Sequence, residues 1–399
     1  MKVTTFAPEF EAALPILKQI EAAGFEAYFV GGSVRDYLLG LPIHDVDIAT
    51  SAYPAEVKQI FKRTVDTGIQ HGTVMILDHG TGYEVTTFRT ESGYQDFRRP
   101  DSVTFVRSLD EDLQRRDFTI NALAMRADGE IIDLFDGLTD LKAQQIRAVG
   151  KADERFHEDA LRMMRAVRFE SQLGFAVTPE TQTAIAKHAE LLTKIAVERI
   201  HVEFVKLLQG IQRQNGLQTF LKTGLYQYCP AFATEAAGLT KLAALPAQQI
   251  HDEDTAWLLV NALLGKTPAA AGKLLKRWKS ANDVIDAVKA GLGLLPAILD
   301  QSADQWALYQ AGQHVLDITL IVAQLMTNES VAVDQWQAKY AALQIKQKAE
   351  LAINGQVLMQ NGYQPGPQLG KMLAQLEKAV VLDQLPNDQA QLLQSAAQN

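Results

Sequence analysis

Residues 27–36 read Ala27-Tyr28-Phe29-Val30-Gly31-Gly32-Ser33-Val34-Arg35-Asp36, and nine residues on the chain reads Asp45-Val46-Asp47-Ile48-Ala49. The apolar run Ala27–Val30 has the length of a buried strand, and the two glycines that close it mark a tight turn. Glycines directly after a strand let the backbone approach a phosphate closely, and a helix start behind them offers unpaired N–H groups. Gly32 and Arg35 are therefore candidate nucleotide contacts, Arg35 as a charge-assisted donor. A plain strand-to-helix turn would explain the glycines but not the acidic pair that follows. Asp45 and Asp47 stand where a second strand begins, and residues i and i+2 of a strand share a face. Two carboxylates so placed can share a pair of Mg2+ ions about 3.5–4 Å apart. Magnesium prefers such hard oxygens together with substrate phosphates. Alone, an Asp-x-Asp is more often a solvated turn. The lysine and glycine spacings of a P-loop or dinucleotide fingerprint are absent.

A third carboxylate, Glu84, lies in Tyr83-Glu84-Val85-Thr86-Thr87-Phe88. An acidic residue in an apolar-aromatic strand should be paired or metal-bound, so Glu84 is a candidate to complete the site; an edge residue facing water is the alternative. Downstream, Arg115-Arg116-Asp117-Phe118-Thr119-Ile120-Asn121 puts adjacent arginines before an apolar run. Arg116 is the candidate triphosphate clamp, and Asp117 and Asn121 suit bracing better than chemistry.

Around these motifs the chain is that of an ordinary soluble protein, 47% apolar and 21% charged over 399 residues. No apolar run approaches the roughly 20 residues of a bilayer span, so no membrane partner is expected. The opening residues lack a signal-peptide pattern. The single cysteine, Cys229, cannot form an internal disulfide; a reducing, cytoplasmic location follows. The net charge of −9 does not exclude a nucleic-acid partner, because such binding depends on local basic surfaces.

The first 150 residues mix strand signals (27–30, 46–49, 73–77, 83–88, 103–106) with a helical opening from Pro8 to Gly24. Beyond Lys151 helical periodicity takes over, at 152–173, 179–192, 195–210, 254–264 and 369–380. The expected fold is α+β: a head built on a small mixed sheet (1–150), then all-α neck (151–210), body (211–290) and tail (291–399).

In this order the motifs resemble the class II nucleotidyltransferase superfamily, which contains CCA-adding tRNA nucleotidyltransferases and bacterial poly(A) polymerases. The match runs from about Phe29 to Leu208. The resemblance implies magnesium-dependent nucleotidyl transfer to an RNA 3′ end with release of pyrophosphate. Its CCA-adding branch implies tRNA as partner, ATP and CTP as substrates, and repair of damaged tRNA 3′ ends. Thr67-Gly68-Ile69-Gln70-His71-Gly72-Thr73-Val74 is similar to that branch. The rivals are a poly(A) polymerase, a catalytically silent RNA-binding relative and, more distantly, an HD-type phosphohydrolase suggested by His251-Asp252-Glu253-Asp254. That last run reads better as an acidic helix cap. A homodimer is compatible with the sequence, which does not fix the oligomeric state.

Glu158-Asp159-Ala160-Leu161-Arg162 precedes Arg165 and Arg168. Asp159 and Arg162, at i and i+3, are neighbours on a helix surface, where an ordinary ion pair would be worth little. A carboxylate accepts from the exocyclic amine of cytosine or adenine, and a guanidinium donates to the adjacent ring nitrogen. Uracil and guanine present the opposite polarity at both places. The resemblance gives the Glu-Asp-x-x-Arg motif this base-reading role and makes Arg165 and Arg168 nucleotide contacts. It also implies that the mixed-charge loop between Thr90 and Arg107 serves the switch from C to A addition. Farther on, Lys273, Lys276, Arg277 and Lys279 around Trp278 offer a basic cluster with a stacking surface for RNA. A solvated amphipathic helix fits nearly as well. Residues 361–371 open a helix beside Lys371, suited to an RNA phosphate.

Overall fold

The apolar run Ala27–Val30 forms strand β1, buried at all four residues, in a seven-stranded sheet. A computed structural model describes residues 1–94, 100–327 and 331–398. Strands β2 (Asp47–Thr50), β3 (Thr64–Gly68), β4 (Thr73–Asp78), β5 (Thr81–Thr87), β8 (Leu123–Met125) and β9 (Ile131–Asp133) join β1 in the order β3-β4-β5-β2-β1-β8-β9. Only β2 and β5 run parallel; the other pairs are antiparallel, so the sheet is mixed. Outside this sheet, β6 (Arg89–Tyr94) and β7 (Pro100–Phe105) pair with each other as an antiparallel ribbon. The expected strand at 103–106 is thus part of this ribbon and not of the sheet, and much of the expected loop from Thr90 is ladder. Gln95–Arg99, the middle of that loop, lie outside the described residues.

Helix α1 (Pro8–Ala22) starts with proline at its first position, where no N–H is needed. Its buried Phe10, Ala13, Ile16, Leu17 and Ile20 recur at helical spacing, and the Phe10 ring lies 4.7 Å from that of Phe29 on β1. On the sheet, Tyr28, Val30, Ala49, Phe88, Leu113 and Ala124 share a core.

Among the described residues, ten α-helices lie in the first compact unit, Met1–Ala236. After α1 come α2 (Gly32–Leu38), α3 (Pro54–Ile60), α4 (Leu109–Gln114), α5 (Gly137–Ala143), α6 (Ala152–Glu158), α7 (Leu161–Leu173), α8 (Pro179–His188), α9 (Val197–Gln209) and α10 (Arg213–Lys222). The expected single helix over 152–173 is two. It breaks at Asp159, whose backbone is extended (φ −135°, ψ 103°) and whose Oδ1 accepts the Leu161 N–H at 3.0 Å. A side chain that bonds the backbone two residues on competes with the helix and turns the chain. Helices α7 and α10 pack closely because Gly216 has no side chain; a Cβ there would sit 2.4 Å from the Val167 carbonyl oxygen.

The second unit, Ala237–Asn399, carries no strand among its described residues. The boundary at Ala236 falls inside the stretch 211–290 read as body. Helix α11 (Ala236–Ala243) spans that boundary, followed by α12 (Glu253–Leu263), α13 (Pro268–Arg277), α14 (Asn282–Leu299), α15 (Gln305–Thr327), α16 (Val333–Ala341), α17 (Gly355–Gln360), α18 (Pro367–Val381) and α19 (Gln389–Ala396). Among the described residues no helix is long and apolar enough to cross a membrane.

Candidate active site

Asp45, Asp47 and Glu84 line one cleft of about 530 Å3 with His44, Met75 and Tyr83. Parallel pairing of Ile48 with Val85 sets Asp47 beside Glu84 on neighbouring inner strands, so Glu84 is no edge residue, though it is exposed. Asp45 lies two residues before β2 begins. Strand geometry therefore places Asp47 alone, and Asp45 reaches the cleft from the preceding connection. Protein crowds Asp47 although its side chain opens to the cleft. Desolvation raises its carboxyl above the ordinary value, Arg116 opposes this, and Glu84 and Asp45 add to it. Crowded carboxylates of this kind are relieved by a cation. Among the described residues no three His, Cys, Asp or Glu side chains are drawn together as a closed ligand set. The donors that Asp45, Asp47 and Glu84 offer are carboxylate oxygens, the kind that hard divalent cations take.

Asp47 also lines a second cleft, of about 540 Å3, with Gly31, Gly32 and Asn121. Among the described residues eight arginines border it: Arg35, Arg89, Arg115, Arg116, Arg162, Arg165, Arg168 and Arg199. Three aspartates, Asp47, Asp117 and Asp159, accompany them, so the cleft is strongly cationic and suits a polyanion. Gly31 has φ +72°, a backbone that side chains disfavour, and a Cβ on it would lie 2.8 Å from Arg116 Nη1. The first glycine of the pair thus makes room for an arginine 85 positions away in the chain.

Buried Asp112 on α4 organises the adjacent arginines. It accepts from Arg115 Nη2 at 2.7 Å and from Arg116 Nη2 at 3.1 Å. Burial pulls its carboxyl upward, but the two guanidiniums prevail and hold it below the usual range. Asp117 and Asn121 brace the wall. Asn121 Nδ2 donates to Asp117 Oδ1 at 3.0 Å, Arg165 Nε donates to Asp117 Oδ2 at 2.6 Å, and Arg35 Nη1 donates to Asn121 Oδ1 at 2.5 Å. Burial would raise the Asp117 carboxyl, yet Arg165 and Asn121 hold it far below. Arg35 also grips its neighbour Asp36 and lies over the Phe169 ring.

Asp159 and Arg162 both border the arginine-lined cleft, but not as neighbours on one helix. Asp159 is the extended residue after α6, and Arg162 stands in the first turn of α7. The Arg162 N–H donates to the Asp159 carbonyl at 3.0 Å, while the two side chains hold other partners. Arg199 on α9 holds Asp159, with Nη2–Oδ2 at 2.7 Å and Nη1–Oδ1 at 3.4 Å. Arg162 donates to Glu158 at 2.6 Å and to the Arg155 and Arg115 carbonyls at 3.1 and 2.7 Å. Arg168 donates to Glu203 at 2.5 Å and to Gln172 at 2.7 Å. Burial lowers the Arg168 guanidinium, and Glu203 opposes that.

Known proteins resemble this chain over nearly its whole length. Residues 27–147 match the poly A polymerase head domain, 174–235 a probable RNA and SrmB-binding site of polymerase A, and 248–396 a putative tRNA nucleotidyltransferase domain 2. The CCA-adding enzyme of Latilactobacillus sakei subsp. sakei is 76% identical over 396 residues, spanning 99% of this chain and 100% of its own. The chain belongs to the CCA-adding enzymes. That of Lacticaseibacillus paracasei is 57% identical over 400 residues, covering 100% of this chain and 98% of its own. The crystal structure of the Bacillus stearothermophilus CCA-adding enzyme in complex with CTP superposes with a TM-score of 0.91 at 41% identity, covering 98% of each chain.

For a CCA-adding enzyme the basic cluster around Trp278 needs correction. Trp278 is fully buried, its ring 5.0 Å from that of Trp257, so it offers no stacking surface. Helical spacing explains this: Leu274, Leu275 and Trp278 face the core while Lys273, Lys276 and Arg277 face water. The acidic run at 251–254 is a helix start: Asp252 caps α12 through the Thr255 N–H at 2.7 Å. Asp254 pairs with His314 at 2.6 Å. Residues 364–368 are exposed and lead into α18, with Pro367 at its first turn. The sequence reading missed Asp112, Arg199 and Glu203. The signal for the last two was a charged pair inside the apolar periodicity of 195–210.

Proposed function

We propose that this chain adds C, C and A in turn to the 3′ end of tRNA from CTP and ATP, without a nucleic-acid template. One observation carries the reading: Asp47 belongs both to the carboxylate cleft and to the arginine-lined cleft that Asp159 and Arg162 border. A nucleotide whose base meets Asp159 and Arg162 can lie along the arginines with its phosphates toward Asp47. Asp45 and Asp47 would hold Mg2+, with Glu84 beside them. Bound there, a pair of such ions would supply Lewis acidity for attack by the RNA 3′-hydroxyl and departure of pyrophosphate. Arg116, fixed by Asp112 and given room by Gly31, holds the triphosphate. Gly32, Arg35, Arg165 and Arg168 shape the cleft around the nucleotide. Asp159 accepts from the amine of cytosine or adenine and Arg162 donates to the ring nitrogen beside it, so uracil and guanine meet like against like. The relatives' names and the putative tRNA nucleotidyltransferase domain over 248–396 support tRNA as the partner.

The test replaces Asp159 and Arg162 together by Ala and measures kcat/KM for all four nucleotides on tRNA ending before CCA. A good hydrogen-bonded pair discriminates by about 1–3 kcal/mol, so UTP and GTP should gain on CTP and ATP by roughly ten- to a hundredfold. An equal fall for all four, with preference unchanged, would make the pair structural and the assignment wrong.

A further inference from the structure

A carboxylate has about four acceptor sites and a guanidinium five N–H donors. Among the described residues, Asp159 spends three acceptor sites on the protein: Leu161 N–H and Arg199 Nη1 on Oδ1, and Arg199 Nη2 on Oδ2. Arg162 spends three donors, on Glu158, the Arg155 carbonyl and the Arg115 carbonyl. Each therefore keeps little spare capacity, and the direction of what remains is set by its protein partners. The surroundings make such fixing necessary. Asp159 shares its cleft with Arg162 and Arg165 and feels the charge of Arg165. A carboxylate free to rotate among guanidiniums would pair with one of them and lose its aim at a ligand.

We infer that Arg199 is a positioning residue for nucleotide selection, which holds Asp159 from behind through a forked contact and keeps it from being captured by Arg162 or Arg165. Arg199 comes from α9, forty residues along the chain, and its side chain is half-buried. Glu158 serves Arg162 in the same way from the last turn of α6. Selection of the base is thereby a property of four residues on three elements. This inference rests on the assignment of Asp159 and Arg162 as the base-reading pair.

The test compares Arg199→Gln, Arg199→Lys, Asp159→Ala and the double variant Arg199→Gln with Asp159→Ala. The readout is the ratio of kcat/KM for CTP to that for UTP, on full-length protein and tRNA ending before CCA. This ratio does not depend on the fraction of folded enzyme, so partial misfolding does not imitate the effect. Arg199→Gln should lower the ratio about tenfold or more. Arg199→Lys should recover only part of it, because an ammonium keeps the charge but not the fork. In the Asp159→Ala background, Arg199→Gln should change the ratio by less than about twofold, since its action passes through the missing carboxylate. An unchanged ratio in Arg199→Gln, or equal further loss in the double variant, would overturn the positioning role. If Asp159→Ala itself leaves the ratio unchanged, the base-reading assignment fails instead, and the two failures are distinct.

Discussion

Glu170 lies on α7 facing a separate cleft of about 330 Å3 that Gln182, Thr219 and Lys222 also border. It is 6% exposed, and its Oε2 has no hydrogen-bond partner among the described residues. Burial pushes its carboxyl from the ordinary 4.5 up to about 7, against opposing pulls from Thr219, the Val177 N–H and Lys222. An acid whose folded value exceeds its unfolded one binds more protons when folded. Its stabilising contribution is therefore whole below pH 4.5 and is lost as pH climbs to 7. At 1.36 kcal/mol per pH unit the ionisation penalty above pH 7 is about 3 kcal/mol. Glu170→Gln keeps the shape and removes the charge, so it should stabilise the first unit by up to about 3 kcal/mol at pH 8 and by little at pH 5. All four tryptophans lie in the second unit, so their fluorescence is the wrong probe. Amide hydrogen exchange along α7 at pH 5 and pH 8 is the right one. Equal effects at the two pH values, or destabilisation at both, would refute the reasoning.

Three other expectations concern activity. Asp45→Ala or Asp47→Ala should abolish nucleotide transfer while leaving tRNA binding largely intact, and Glu84→Gln should impair transfer; turnover near wild type in either Asp variant contradicts the metal role. Gly31→Ala puts a methyl group 2.8 Å from Arg116 Nη1 at a positive φ, so KM for CTP and ATP should rise about tenfold, the cost of one charge-assisted hydrogen bond. An unaltered KM would show that Arg116 does not hold the triphosphate. Binding of tRNA should weaken steeply with salt, and replacing Lys273, Lys276 and Arg277 by Ala should flatten the slope of log affinity against log salt by about two to three. If the slope stays the same, the RNA track avoids α13.

Much of the head was legible because its signals are local. A four-residue apolar run before two glycines, and an acidic pair at the start of another strand, need no knowledge of partners. What stayed hidden depends on contacts far apart in sequence. The pairing of Arg199 with Asp159 spans forty residues, and nothing in either segment names the other. Helical periodicity carried 152–173 through as one helix because Asp159 interrupts it with a side-chain bond, not with glycine or proline. The strand signal at 103–106 marks one side of the β6–β7 ribbon, but its partner reads as loop because glycine, proline and mixed charge outweigh the weak alternation of a two-stranded element. Around Trp278 the basic residues suit either an RNA-stacking surface or a solvated amphipathic helix, and the burial of Trp278 opposite the exposed Lys273, Lys276 and Arg277 fits the second.

The central claim is that protein side chains alone direct the ordered addition of three nucleotides. It is tested most directly by incubating the enzyme and Mg2+ with tRNA that lacks its 3′ CCA. Each labelled nucleotide is supplied singly, then CTP and ATP together, and the product ends are sequenced. The account predicts CC from CTP alone, CCA from the two together, and no extension beyond that A. A long run of A, a product that stops at CC with both nucleotides present, or incorporation of U or G as readily as C would contradict it.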